Sequence, residues 1–209
     1  LDALKLLNNS NFLIFFISSI LICIPLAFYY QNANLFLSEL MVENPTGKMT
    51  IGQISEVLFL LLLPVFFTRF GFKITLLIGM IAWALRYVLF AYGNANELGF
   101  MLIIGIALHG ICYDFFFVSG QIYTNSKAGE KYKSAAQGMI ALATYGIGML
   151  IGFWIAGMVS DAFLISDNEH DWNKIWLVAA AIAAAVSILF LIFFNQRDED
   201  SAKRMKDAV

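Results

Sequence analysis

Six apolar runs, at about residues 12–38, 51–69, 74–92, 98–124, 135–160 and 173–195, fill most of a chain of 209 residues. Each is near the ~20 residues that a helix needs to cross ~30 Å of hydrocarbon. A backbone in lipid must satisfy its own hydrogen bonds, and these runs show no alternation of apolar and polar residues, so helices are expected rather than a barrel. The expected fold is all-α and transmembrane: a single domain, residues 1–209, arranged as a six-helix bundle. The first run is too long for a cleaved signal and lacks the basic flank and small-residue cleavage site of one. Residue 1 is Leu rather than Met, as expected of a fragment or processed piece.

Composition excludes an ordinary soluble globule. Hydrophobic residues make up 60% of the chain and charged residues only 13%, against about 25% charged in soluble domains. A net charge of −2 is too small to imply nucleic acid as a partner. Cys23 and Cys112 fall inside spans without a second Cys or His at metal-ligand spacing, so both are expected to be packed free thiols. No metal and no cofactor are expected. No HExxH or GxSxG motif is present, and an enzyme is not expected.

Lysine and arginine in the loops set the orientation. Ten of them are assigned to one side: Lys5, Arg69, Lys73, Lys127, Lys131, Lys133, Arg197, Lys203, Arg204 and Lys206. Two, Lys48 and Lys174, are assigned to the other, where the loops carry Glu39, Glu43, Glu97, Asp161, Asp167, Glu169 and Asp171. Both termini are expected in the cytoplasm, with the chain multi-pass in the plasma (inner) membrane.

Three ionisable side chains interrupt the apolar runs: Glu56, Arg86 and Asp114. Charge at the centre of a membrane helix costs roughly 2.5–3.5 kcal/mol on insertion scales, so such groups pair or line a wet cavity, and they suggest a solute or proton path. Glu56 and Arg86 each lie 13 residues from a basic residue at the same turn, Arg69 and Lys73, and Asp114 lies 13 residues from Lys127. At ~1.5 Å per residue all three sit about 20 Å from the cytoplasmic ends and are expected to share one cavity. Two readings of Arg86 stay open: a group in that cavity, or half of a buried structural ion pair with one of the carboxylates. In either case one carboxyl is left over. Desolvated, it is expected to exchange between ionised and protonated forms, as a proton-coupling group must.

Other polar residues share helix faces with these groups. Gln53 and Glu56 are three apart; Gln31 and Asn34 are three apart and Tyr30 and Asn34 four apart; His109 and Tyr113 are four apart, with Asp114 next in sequence. Amides, a hydroxyl, an imidazole and carboxylates among aromatics suit a neutral, hydrogen-bonding, ring-containing solute such as a sugar or nucleoside. The plainer alternatives are an interhelical hydrogen bond of about 0.6 kcal/mol for each of Gln31 and Asn34, and a satisfied interior histidine for His109. Pro25 and Pro64 permit kinks. The glycines Gly146, Gly148, Gly152 and Gly157, and the alanine-rich stretch from Ala179 to Ala185, read as packing surfaces.

Four segments carry a resemblance. GQISEVLFLLLLPVFFTRFG (Gly52 to Gly71), AWALRYVLFAYG (Ala82 to Gly93), HGICYDFFFVSG (His109 to Gly120) and SAAQGM (Ser134 to Met139) occur in the order and spacing of the nucleoside:proton symporter family of the major facilitator superfamily, which the chain resembles over most of its length. The resemblance implies the C-terminal six-helix half of a twelve-helix transporter whose N-terminal half is absent, and uptake of nucleosides driven by a proton gradient through alternating access. The implied partners are a nucleoside, the proton, the lipid bilayer and the missing half.

Carried over by motif, Gln53, Glu56, Tyr113 and Asp114 fall on solute-contacting positions. The first span, PLAFYYQNANLFL, departs from the family's usual amides, and Gln31 and Asn34 stand in for them. His109 occupies a position where an aromatic hydroxyl is also found. The implied mechanism sets the ribose hydroxyls against Gln53 and Glu56, stacks the base on Tyr113 or Phe117, and gives proton coupling to Glu56 or Asp114. Two other expectations stand beside it: a symporter of another neutral polar solute, such as a sugar, and a non-transporting membrane scaffold or sensor.

Overall fold

Four helical runs dominate the computed structural model, which describes residues 2–166 and 169–195. A short 3-10 turn (Asp2–Asn8) leads into α1 (Ser10–Glu39), whose N-cap Asn9 accepts a hydrogen bond from the Phe12 amide at 3.0 Å. The second run is α2 (Pro45–Tyr92), with Asn44 as cap and Pro45 in its first turn, where a missing N–H costs no helical bond. The third is continuous from Gly99 to Ala162: α3 (Gly99–Tyr113), a π-helical turn (Asp114–Val118), α4 (Ser119–Ala141), a second π-helical turn (Leu142–Gly148) and α5 (Met149–Ala162). A two-stranded hairpin, β1 (Leu164–Ser166) with β2 (Glu169–His170), precedes α6 (Trp172–Phe193). Each of the four runs is long and apolar enough to cross a membrane.

This differs from six separated spans. The gaps expected between 69 and 74 and between 124 and 135 are helical, and each is broken by one glycine: Gly71 at φ 72 and ψ −178, and Gly129 at φ 65 and ψ 171. Only glycine adopts that backbone without strain, so one residue kinks the helix where a loop of several was expected. The helical backbone runs unbroken through Pro25 and Pro64.

Side chains identify which ends belong together. Lys73, just after the Gly71 break, donates through Nζ to the carbonyls of Leu191 (2.9 Å) and Phe194 (2.5 Å) at the end of α6. Phe72 stacks on Tyr123 of α4 at 4.1 Å, and Phe12 of α1 stacks on the same ring at 6.0 Å. The start of α1, the Gly71 break, the part of α4 before Gly129 and the end of α6 therefore share one end of the bundle. At the other end the Glu39 carboxylate accepts from the His170 amide (3.2 Å) and Trp172 Nε1 (2.7 Å) and meets His170 Nδ1 at 2.8 Å. Of the residues used for orientation, Asp167, Arg197, Lys203, Arg204 and Lys206 lie outside the described residues.

Between lipid-facing helices apolar burial supplies little net drive, so close backbone approach matters. A Cβ on Gly148 would lie 2.8 Å from Cys23 Cβ, and one on Gly152 would lie 2.7 Å from Ala27 Cβ. These two glycines let the second π-helical turn and α5 press against α1, the packing role expected of them. Ala179, Ala180 and Ala183 are likewise buried on α6. Gly146 and Gly157 meet only side-chain atoms at 3.2 Å or more and are not close-approach sites. Cys23 and Cys112 are buried free thiols.

Candidate solute-binding site

The closest approach of α2 to α3 builds the site. Around Gly110 the Ser55 backbone is so near that an added Cβ would sit 2.5 Å from the Ser55 carbonyl carbon. The Gly110 amide also donates to Ser55 Oγ at 3.0 Å. Gly52 meets His109 in the same way, its absent Cβ 3.3 Å from that of His109. Three small residues thus bring Glu56 and His109 level with one another across the helix pair.

His109 then links two charges. Its Nδ1 is 3.0 Å from Arg86 Nη1, and its Nε2 is 4.0 Å from Glu56 Oε2. The matching depth expected for Glu56 and Arg86 is therefore present, with an imidazole between them. The ion-pair reading of Arg86 is corrected: among the described residues no carboxylate reaches it, because the His109 ring occupies that space. Its guanidinium lies instead over the Tyr29 ring, 3.5 Å from the centroid, and nearer the edge of its range to Phe90, at 5.4 Å. Cation–π contact of this desolvated kind is worth about 2 kcal/mol. Glu56 is a third exposed, while the side chain of His109 is 7% exposed and sits behind it.

Asp114 lies five residues beyond His109, about 7 Å along the helix. It opens the first π-helical turn and is 1% exposed, and its Oδ2 has no hydrogen-bond partner among the described residues. The Asp114 and Glu56 carboxyls are within electrostatic reach of one another. Single π-helical turns are wider than α-helical ones and re-aim the side chains around them. Neither was legible beforehand, since the sequence of the first, DFFFV, has no breaker in it.

Aromatic rings complete one wall. Tyr29 stacks on His109 at 5.5 Å, Tyr113 lies 5.8 Å from His109 and 5.2 Å from Phe117, and Phe117 stacks on Tyr145 at 5.8 Å. The hydroxyls of Tyr113 and Tyr145 are 2.7 Å apart. Tyr29 and Tyr145 were not among the expected site residues; the one available signal for Tyr145 was a hydroxylated aromatic inside the glycine-rich fifth span.

The remaining expected residues separate. Gln53 is exposed on the Glu56 face of α2, and Gln31 is exposed on α1 with its Nε2 3.8 Å from where a Gly157 Cβ would lie. Asn34, exposed on α1, donates to Thr46 Oγ1 at 3.1 Å, linking the end of α1 to the start of α2. Asn32, which sequence reasoning passed over, is a buried amide of that helix and donates to Ser160 Oγ on α5 at 3.1 Å. Below the aromatic wall, toward the Lys73 end, a small, partly open pocket is lined by Phe15, Ser19, Gln121, Gln137, Thr144 and Tyr145, among others. Among the described residues no cluster of His, Cys, Asp and Glu could hold a metal ion.

Comparison with known proteins gives a consistent set of relatives. The family model described as Nucleoside H+ symporter matches residues 1–199. The protein named "Putative nucleoside transporter YegT" of Escherichia coli (strain K12) is 42% identical over 96% of this chain and 49% of its own length. Nucleoside permease NupG of the same organism is 32% identical over 94% of this chain and 50% of its own length. Its Xanthosine permease is 32% identical over 93% and 49%. The crystal structure of nucleoside transporter NupG superposes with a TM-score of 0.82 at 31% identity, covering 93% of this chain and 51% of that one. The chain spans about half the length of the curated relatives it matches.

Proposed function

Because the chain belongs to the nucleoside H+ symporter family, we propose that it supplies half of the solute cavity of a proton-coupled nucleoside transporter working by alternating access. The observation that carries the reading is Asp114: a carboxyl 1% exposed, with an oxygen that no described group satisfies, beside Glu56 and an aromatic wall. A buried carboxylate without a partner is far more expensive than a buried carboxylic acid. Taking up a proton therefore favours the conformation that buries it, and this links proton and solute by population shift.

In this reading Gln53, Glu56, Gln31 and Asn34 take the hydroxyls of a nucleoside, and Tyr113, Phe117 and His109 frame its ring. The four helical runs cross the membrane six times, with Gly71 and Gly129 dividing the second and third into two crossings each; positive-φ glycine at both points supports that division. The bundle is then the C-terminal half of a major facilitator transporter, and the exposed face bearing Tyr30, Gln31 and Gln53 meets the N-terminal half. The end marked by Lys73, where Lys127 lies over the Tyr123 ring on which Phe72 stacks, is cytoplasmic, in keeping with the basic loops. Both termini then lie on the cytoplasmic side of the plasma (inner) membrane.

The test is uptake of labelled uridine and adenosine by the full-length parent protein in proteoliposomes, with and without a pH gradient. Accumulation that requires the gradient is expected. Correctly inserted protein that accumulates neither solute overturns the proposal.

A further inference from the structure

Arg86 is fully buried, and no acid within the described residues balances it. Its one hydrogen bond there is from Nη1 to His109 Nδ1, at 3.0 Å; Nε and Nη2 have no partner. A guanidinium has donors only. Nδ1 of His109 is therefore the accepting nitrogen, and a neutral imidazole that accepts there carries its hydrogen on Nε2. That nitrogen is the one that faces Glu56 Oε2, at 4.0 Å.

The ring has little freedom to do otherwise. Tyr29 stacks on it from α1 and Tyr113 packs beside it on its own helix. The close contacts at Gly52 and Gly110 hold its backbone against α2. The titratable groups facing His109 are thus Arg86 and Glu56 at its two nitrogens and Tyr29 and Tyr113 around its ring. Cys112 faces Arg86 from the same stretch of helix.

We infer that Arg86 is a positioning residue for solute recognition: it fixes His109 as the Nε2–H tautomer, and the positive edge of that N–H, 4.0 Å from Glu56 Oε2 and so acting across a gap longer than a hydrogen bond, holds the carboxylate that faces the solute electrostatically. The inference rests on the proposed role of Glu56 in nucleoside binding. It assigns a task to a buried cation that sequence reasoning divided between an ion pair and a cavity group. It also explains why an imidazole serves here: a phenol at the same position has one polar atom and cannot bridge two groups on opposite edges of its ring.

The experiment uses the full-length parent protein, wild type and with Arg86→Gln, His109→Phe and His109→Gln, and reads two quantities. The first is the KM for uridine counterflow in proteoliposomes. Gln at position 109 offers an amide oxygen to Arg86 and an amide N–H to Glu56, whereas Phe offers neither. His109→Phe is expected to raise KM about tenfold, His109→Gln to recover most of that loss, and Arg86→Gln to add nothing to His109→Phe when the two are combined. The second is the tautomer of His109, from the nitrogen shifts in the difference between ¹⁵N-histidine spectra of wild type and His109→Gln. An Nε2–H ring is expected.

The inference is overturned by an Nδ1–H or doubly protonated ring, by His109→Gln behaving as His109→Phe does, or by Arg86→Gln and His109→Phe contributing independently. If Arg86→Gln fails to fold, the two His109 variants and the tautomer still decide. Wild-type protein that transports no nucleoside but shows the Nε2–H ring overturns the functional proposal and leaves the Arg86 assignment standing as structural.

Discussion

Tyr113 and Tyr145 share a hydroxyl-to-hydroxyl contact of 2.7 Å that joins the end of α3 to the π-helical turn preceding α5. The Phe117 ring stacks on Tyr145 from the first π-helical turn, so the two irregular turns of the third helical run meet at one residue. Tyr145 also lines the pocket below the aromatic wall, which makes it a partition between that pocket and the polar site. Tyr145→Phe keeps the stack and loses one interhelical hydrogen bond. Bonds of this kind average about 0.6 kcal/mol in membrane proteins, so nucleoside affinity should fall only about threefold. Tyr145→Ala removes the partition itself, and the affinity measured by titration calorimetry should fall well beyond that.

The two carboxyls near the site should separate coupling from binding. Asp114→Asn removes the buried ionisable group but keeps its size. Accumulation of uridine against its gradient should be lost while counterflow, which needs no net proton movement, persists. Glu56→Gln should instead weaken solute binding, because Glu56 is a third exposed on the site face. Full accumulation by both variants would sink the proton-coupling assignment.

Glycine contacts between α1 and α5 give a prediction about stability. Gly152→Val places atoms where Ala27 Cβ is 2.7 Å from the new Cβ and the Cys23 carbonyl oxygen 2.9 Å away. Overpacking of that sort costs typically 1–3 kcal/mol. Gly138→Ala, on α4, meets nothing within 4 Å and should stabilise its helix by up to about 1 kcal/mol. Thermal unfolding in detergent should move in opposite directions for the two.

Outside the membrane spans, Asp171 caps α6 by accepting from the Lys174 amide at 3.2 Å and pairing with its Nζ at 2.8 Å. The Lys174 side chain and amide hold the Asp171 carboxyl below its ordinary value of 3.8. A carboxyl depressed in the folded state contributes stability above its unfolded value, and that contribution fades as pH falls through the folded value. Asp171→Ala should therefore melt earlier than wild type at pH 7, and the gap should narrow below about pH 4. A gap that stays constant down to pH 3 would show that the cap acts without its charge.

Much of this fold is legible in the chain because lipid imposes one rule. Runs of about 20 apolar residues must be helices, and any ionisable group within them must find a partner or a cavity. That rule located Glu56, Arg86 and Asp114, and the three-residue spacing of Gln53 and Glu56 put both on one face of α2. Gly148 and Gly152 were readable for a related reason, since small residues four apart leave room for a neighbouring backbone.

What the residues alone could not decide is which group faces which. Arg86 could have met Glu56 or Asp114; only the packing of Gly52 and Gly110 between α2 and α3 brings the His109 ring into that space. Asn34 and Asn32 are two apart and chemically identical, yet the first ties off a helix end and the second is buried against Ser160. The π-helical turns that carry Asp114 and Tyr145 depend on hydrogen-bond registers that no local residue demands. Sequence determines helices and the presence of charge within them, because both follow from solvation residue by residue. Tertiary structure decides the partners, because a partner is set by the distance between two helices and neither helix encodes that distance alone.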